Sequence, residues 1–416
     1  MERWQWLFDR AAPMNMVFVA RVVGRFERGR LRQALDTVAG HYPTITARVE
    51  PDKHPRFVGG SGSVDLRVLP WQRGAWRSTA VEEVNSRIPV ATGPLMRTVL
   101  LDGAERSDLL VSFNQTVADG QSGAHIVDEL LTVYGGGARP ALVSPEVLEP
   151  PIDNVLGSRF RALRTTLRDI PTMRRLSPLQ PERWVPPAKR RTALIDVQLP
   201  ASRTERLARS ASARGTSVHG ALAAAMLMAI GDQLRGDNHA RRDNIGCATS
   251  VDLRRRAGFS SEAVGALLSH VVSSHKVHYD TLFWDLAAEV SKAIRESVAS
   301  GDVFAYARMK DAKGIGVSDA ALDRRVATSE RSHRAAAVVN NLGRLTFFEQ
   351  YGDVALDRMS FLMSNNAYVG SSLVLSAVTL ADETCLNFTF ADPLLSPGRA
   401  QQLVDGTLSA LDDVDR

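Results

Sequence analysis

Long apolar runs are missing from this sequence. No stretch approaches the roughly 20 consecutive apolar residues that cross a bilayer, and the best helix candidate of that kind, Ala221–Ile230, is far too short. The opening residues, Met1 to Trp6, lack the apolar core and small-residue cleavage site of a secretory signal. Cysteine is nearly absent. Cys247 and Cys385 stand in unrelated contexts, which excludes a disulfide framework and a cysteine-based metal centre. Ser112, Ser122 and Ser273 lack the G-x-S-x-G surroundings of a nucleophile elbow. Aromatics make up only 6%, and no interleaved aromatic platform accompanies the basic residues, so nucleic acid is not an expected partner. These absences predict a cytoplasmic protein with no transmembrane segment, no metal and no bound cofactor.

What is present is an ordinary globular composition. The chain has 416 residues, of which 44% are hydrophobic, enough for two domains of usual size. The net charge of +5 is mild, and its excess is concentrated between Arg159 and Arg191. Strands and helices alternate through the first half. Met16–Val23 reads as a strand, and Leu31–Ala39 as a helix with Leu31, Ala34, Leu35 and Val38 on one face. His41-Tyr42-Pro43 breaks that helix, and Ile45–Val49 is expected to be extended. Pro94–Leu101 and Leu109–Phe113 read as a hairpin. Gly135–Gly137 and a series of prolines up to Pro187 mark an irregular crossover with one basic helix near residues 155–168. From Thr192 the alternation resumes, through a helix at Thr216–Leu234 capped by Thr216 or Ser217, a strand at Ile245–Val251, and a closing helix at Ser396–Leu411. The expected domains are 1–140 and 192–416, joined by a basic linker over 141–191.

The ten residues Asn114–Gly123 carry the chemical signal. They lie between a buried strand and a helix whose apolar positions are Ile126, Val127, Leu130, Leu131 and Val133. A strand end followed four residues later by Asp119-Gly120 resembles the HHxxxDG loop of the condensation-domain and chloramphenicol-acetyltransferase-like superfamily. "GHYPTITARVE" resembles the opening of that superfamily, Val251-Asp252-Leu253-Arg254 its "VDLR" element, and Asn340-Asn341-Leu342-Gly343 its "SNLG" strand and turn. The resemblance covers nearly the whole chain in order and is nearest to polyketide-associated acyltransferases of the phthiocerol dimycocerosyl transferase type. It implies two α/β domains with mixed sheets, set in a V, with an active-site tunnel at their interface.

In that superfamily the second histidine of the loop is the general base for transfer of an acyl group from a thioester to an alcohol or amine. Here Asn114 and Gln115 hold the two histidine positions. A glutamine amide donates and accepts hydrogen bonds but has no proton that titrates near neutrality. A natural loss of the base, an introduced His→Gln and a different alignment of the motif all fit the sequence. The resemblance implies that Asp119 pairs with a buried arginine, for which Arg254 is the candidate, while the simpler alternative is a helix cap. Gly120 is expected to allow a close approach or a positive φ, with its N–H facing the channel. His219, Asn341 and Gly343 are candidate substrate-binding residues, although His219 reads more readily as a satisfied histidine and Asn341 equally as part of a polar turn. His41 reads as part of its turn, the orientation of His125 is open, and His270, His275 and His278 fit a strand edge better than a metal site.

Three functions fit these residues. The first is an acyltransferase of polyketide, lipid or other specialised metabolism with an impaired base, fed by coenzyme A or an acyl carrier protein. The second is a repurposed tunnel that cyclises or rearranges a polyketide-type substrate. The third is a non-catalytic carrier-binding protein, with the Arg159–Arg191 stretch as its docking surface or simply as a solvated segment.

Overall fold

A computed structural model describes residues 2–137, 172–236, 244–304, 318–367 and 370–413, apart from 52–54, 61, 174 and 333–334. Most of the expected 141–191 linker, with its basic helix and Arg159–Arg174, lies outside the described residues.

Two six-stranded mixed sheets organise the chain. The first contains β1 (Asn15–Val23), β4 (Asp65–Pro70), β5 (Met96–Asp102), β6 (Arg106–Asn114), β11 (Gln350–Tyr351) and β12 (Val354–Met363), in the order β11-β12-β1-β6-β5-β4. The second contains β7 (Arg191–Leu199), β8 (Asn244–Asp252), β9 (Leu268–Lys276), β10 (Ala335–Leu345), β13 (Leu373–Leu380) and β14 (Glu383–Asp392), in the order β7-β14-β13-β10-β8-β9. A small hairpin, β2 (Arg48–Glu50) with β3 (Arg56–Val58), stands apart. Each large sheet has its own apolar core.

The helices follow the periodicity of their sequences. α1 (Glu2–Ala11), α2 (Arg28–His41), the turn α3 (Pro43–Thr46), α4 (Ala75–Asn85) and α5 (Gly120–Tyr134) serve the first sheet. α6 (Ala201–Ala213), α7 (Val218–Gly236), α8 (Arg254–Ala257), α9 (Phe283–Ser300), α10 (Asp319–Ser332) and α11 (Pro397–Asp413) follow. Ser217 caps α7, its hydroxyl accepting from the Gly220 N–H. The alanines of α7 let α9 and α11 pack closely against it. α5 lies flush on β1 at Gly123, where an added Cβ would stand 2.2 Å from Phe18 Cε2.

Two local expectations are corrected. Ile45 belongs to a helical turn rather than a strand, because Pro43 suits a first helical position, and extended structure begins at Arg48. Residues 192–416 do not form a self-contained second domain, because β11 and β12 cross back to the first sheet. Met16 pairs with Met363 and Phe18 with Phe361, whose rings stack at 5.5 Å.

Polar contacts tie α4 to β7 across the sheets. Asn85 accepts from the Thr192 N–H and donates to its carbonyl, and Arg77 Nη2 reaches Asp196 Oδ2 at 2.7 Å. The parallel strands β8, β10 and β13 of the second sheet bring the "VDLR" and "NNLG" segments side by side, opposite the start of α5. Among the described residues no helix is long and apolar enough to cross a membrane.

Candidate active site

The loop between β6 and α5 is fixed at both ends by buried polar contacts. Asn114 Nδ2 donates to Asp9 Oδ1 at 2.9 Å, and Asn114 Oδ1 accepts from the Thr116 N–H and hydroxyl. Asp9 also accepts from the Met14 N–H and from Arg87. Burial pushes the Asp9 carboxyl upward, against the pull of these donors. Asn114 is therefore a bracket for the loop, tied to α1 by a carboxylate that no sequence pattern singles out.

Gln115 follows, 4% exposed. Its backbone N–H donates to Met14 O, and Nε2 donates to Asn15 O at 3.1 Å. A carbonyl can only accept, so this bond fixes the orientation of the amide. Oε1 makes no hydrogen bond among the described residues, and Gln115 is not one of the residues that line the cavity at the start of α5. The same Asn15 carbonyl accepts from the Ser364 N–H, placing Gln115 beside the end of β12. Position 115 thus presents a hydrogen-bond acceptor with no titratable proton.

Asp119 is both a helix cap and half of a buried ion pair, so the two expectations for it are not alternatives. Oδ1 accepts from the Ser122 N–H and hydroxyl, at 2.8 and 2.9 Å. Both oxygens accept from Arg254, at 2.8 and 3.0 Å, and Oδ2 also takes the Leu267 N–H. Each side chain of the pair is 2% exposed. Arg254 spends all five of its donors, on Ala263 O, Asp119, Asp252 Oδ1 and Ser122 Oγ. Burial opposes its charge, but the two carboxylates outweigh burial and hold its pKa above the ordinary value.

A cavity of about 90 Å³ opens at the start of α5. Gly120 and Gln121 form one wall, Ser250 and Asp252 a second, Asn340 to Leu342 a third, and Phe361 and Met363 of β12 a fourth. Gly120 does not have positive φ, contrary to one of the two expectations for it. Its role is close approach, since an added Cβ would lie 2.9 Å from Leu342 Cδ2. The N–H groups of Gly120 and Gln121, in the open first turn of α5, find no acceptor among the described residues.

Asn341 and Gly343 shape the strand. Asn341 Oδ1 accepts from the Gly343 N–H at 2.8 Å, at a break in the register of β10 where Gly343 takes a φ of 75°. The neighbouring Asn340 also lines the cavity and is the more buried of the two. Ser250 Oγ donates to Asn340 Oδ1 at 2.5 Å, while the Nδ2 atoms of Asn340 and Asn341 both lack a partner among the described residues. Ser250, Asp252 and Asn340 were not singled out from sequence, although all lie within or beside the two motifs that were.

His219 stands elsewhere. Its Nε2 pairs with Thr249 Oγ1 at 2.9 Å, and successive residues of β8 face opposite sides of the sheet, so it lies behind Ser250. Burial lowers its pKa to about 4. An unfolded histidine titrates near 6.5, so the folded state binds fewer protons between those values. Stability from this group is complete above about pH 6.5 and is lost as pH falls towards 4. The residue keeps some solvent contact, so a loss of about 1–2 kcal/mol is expected rather than the full shift. Urea denaturation from pH 7 to 4 checks this, because His219→Asn should flatten that part of the profile.

Three further histidines among the described residues are occupied away from the cavity. His41 pairs with Glu129, His125 with Tyr42, and His275 with Ser273 and Glu289. Among the described residues no group of three His, Cys, Asp or Glu could hold a metal ion.

Comparison with known proteins agrees with this geometry. Residues 188–395 match the family model described as phthiocerol/phthiodiolone dimycocerosyl transferase C-terminus. The chain is 26% identical over 161 residues to a linear gramicidin synthase protein of Brevibacillus parabrevis, a match covering 35% of this chain and only 3% of that much longer protein. Polyketide synthase associated protein 5 from Mycobacterium tuberculosis superposes with a TM-score of 0.71 at 16% identity, covering 98% of this chain and 96% of that one. The trichothecene 15-O-acetyltransferase of Fusarium sporotrichioides gives 0.76 at 13% identity, covering 99% and 94%. With half of its length under the family model, the chain belongs to the phthiocerol/phthiodiolone dimycocerosyl transferase C-terminal family.

Proposed function

We propose that the protein is an acyltransferase-type enzyme of polyketide, lipid or other specialised metabolism. It takes an acyl thioester of coenzyme A or a carrier protein and passes the acyl group to an alcohol or amine. The observation that carries this reading is the intact Asp119–Arg254 lock, which sets the first turn of α5 against a cavity with unspent donors. In the reaction the acceptor's oxygen or nitrogen attacks the thioester carbon, the carbonyl oxygen becomes negative, and the thiolate leaves and recovers the acceptor's proton. The Gly120 and Gln121 N–H groups and Asn340 Nδ2 are the proposed donors to that oxygen. Gln115 Oε1 accepts a hydrogen bond from the nucleophile and aims it. Without a base, the rate rests on orientation and on stabilisation of the developing charge.

The test is release of thiol from acyl-coenzyme A and acyl-carrier donors in the presence of alcohols and amines. Asn340→Ala should lower kcat by about 10²-fold, as the loss of one oxyanion donor does, with little change in KM. A second reading is favoured by Gln115 itself: a loop that lacks the histidine base suits cyclisation of a polyketide-type substrate. Turnover of such a substrate with no thioester, together with no thiol release from any donor, would replace the first reading with the second.

A further inference from the structure

We infer that the cavity takes a primary ammonium group, with Asp252 Oδ2 as its anchor and Asn340 Nδ2 as the donor to an oxygen a few bonds away. This rests on the acyltransferase reading and names the class of acceptor that the site prefers, an amine rather than an alcohol.

Charge is unbalanced at the cavity. Asp119, Asp252 and Arg254 form one cluster holding two carboxylates and one guanidinium, so one negative charge is left over. Asp119 has both oxygens engaged. Asp252 has only one engaged, Oδ1 accepting from the Arg254 N–H at 3.1 Å and from Nη1 at 2.8 Å. Oδ2 has no partner among the described residues, and the side chain is 43% exposed at the cavity wall. Arg255 and Arg256, the next residues of α8, are exposed and make no ion pair with it among the described residues. Among the described residues no lysine or histidine lines the cavity, and Arg254, the one arginine that does, has no donor left.

Asn340 points the same way independently. It is 7% exposed and lines the cavity, its oxygen is taken by Ser250, and its Nδ2 has no partner among the described residues. Leu268, Leu342, Phe361 and Met363 supply apolar wall between these groups. A ligand that satisfies all three features carries a cation, an oxygen acceptor and a short aliphatic group. An amine also suits position 115, because the bound ammonium can give one proton to solvent at the open cavity wall, and the neutral amine that then attacks a carbonyl needs from Gln115 only an acceptor.

The probe is L-leucinamide at pH 6.5, compared with 4-methylpentanamide, which lacks the amine, and with 4-methylpentanoate, which is anionic. Binding to the full chain is followed by ligand-observed NMR, so the result does not depend on turnover. Leucinamide should bind about fivefold more tightly than 4-methylpentanamide, in line with an ion pair open to solvent, and the preference should shrink in 0.5 M salt. Asp252→Asn keeps Oδ1 for Arg254 while removing the charge, and it should abolish the preference without changing the affinity for 4-methylpentanamide. Equal binding of the two amides, tighter binding of the pentanoate, no binding of leucinamide, or an unchanged preference in the Asp252→Asn variant would overturn the inference. Failure of the acyltransferase reading is seen separately, as absence of thiol release.

Discussion

Arg254→Met destabilises the folded chain by about 3–5 kcal/mol, the usual consequence of removing one member of a buried ion pair. The reason lies in what is left behind. Asp119 would keep its bonds to Ser122 and Leu267 but lose its counterion at a side chain only 2% exposed. Ala263 O and Ser122 Oγ would lose a donor as well. Arg254→Lys should recover little, because an ammonium cannot reproduce a planar fork with five donors. The double variant Asp119→Asn with Arg254→Met should recover part of the loss, since the amide still caps α5 and carries no charge. Urea denaturation measures all three. A loss under about 1 kcal/mol for Arg254→Met would mean that the pair contributes little to holding the loop.

The parts of this architecture written in local periodicity were legible in the sequence. Apolar runs over 16–23 and 109–113 became central strands, and the apolar stripe from Ile126 to Val133 became the buried face of α5. Asp119 and Arg254 were legible as partners only through resemblance, because 135 positions separate them and no spacing rule links them. The crossing of β12 into the first sheet was hidden for a similar reason. Its pairing with β1 is non-local, and its sequence would suit either sheet. The register break near Gly343 was not legible either, and it is what spends the Asn341 oxygen on the strand's own turn while the Asn340 oxygen goes to Ser250. Asp9 carried no signal, since nothing in its sequence surroundings marks it as a partner of the loop, yet it holds Asn114 in place.

Gln115→His is the second large effect, and it acts on rate rather than stability. The position lies at the end of β6, held by its backbone bond to Met14 and set beside the end of β12. An imidazole there would lose the Nε2 bond to Asn15 O but would bring a group able to take a proton near neutrality. A positioned general base is typically worth about 10²- to 10⁴-fold. The gain should be greatest for alcohols, which must lose a proton as they attack, and smaller for amines.

The most direct test of an acyltransferase scaffold in which Gln115 only orients is therefore a paired assay of the protein and its Gln115→His variant. Both receive the same acyl thioester with matched alcohol and amine acceptors, and thiol release is followed. Slow transfer by the glutamine form, raised by about 10²-fold or more with alcohols in the histidine form, is the predicted result. Equal rates in the two proteins with both acceptors would contradict it, and would mean that position 115 takes no part in the chemistry.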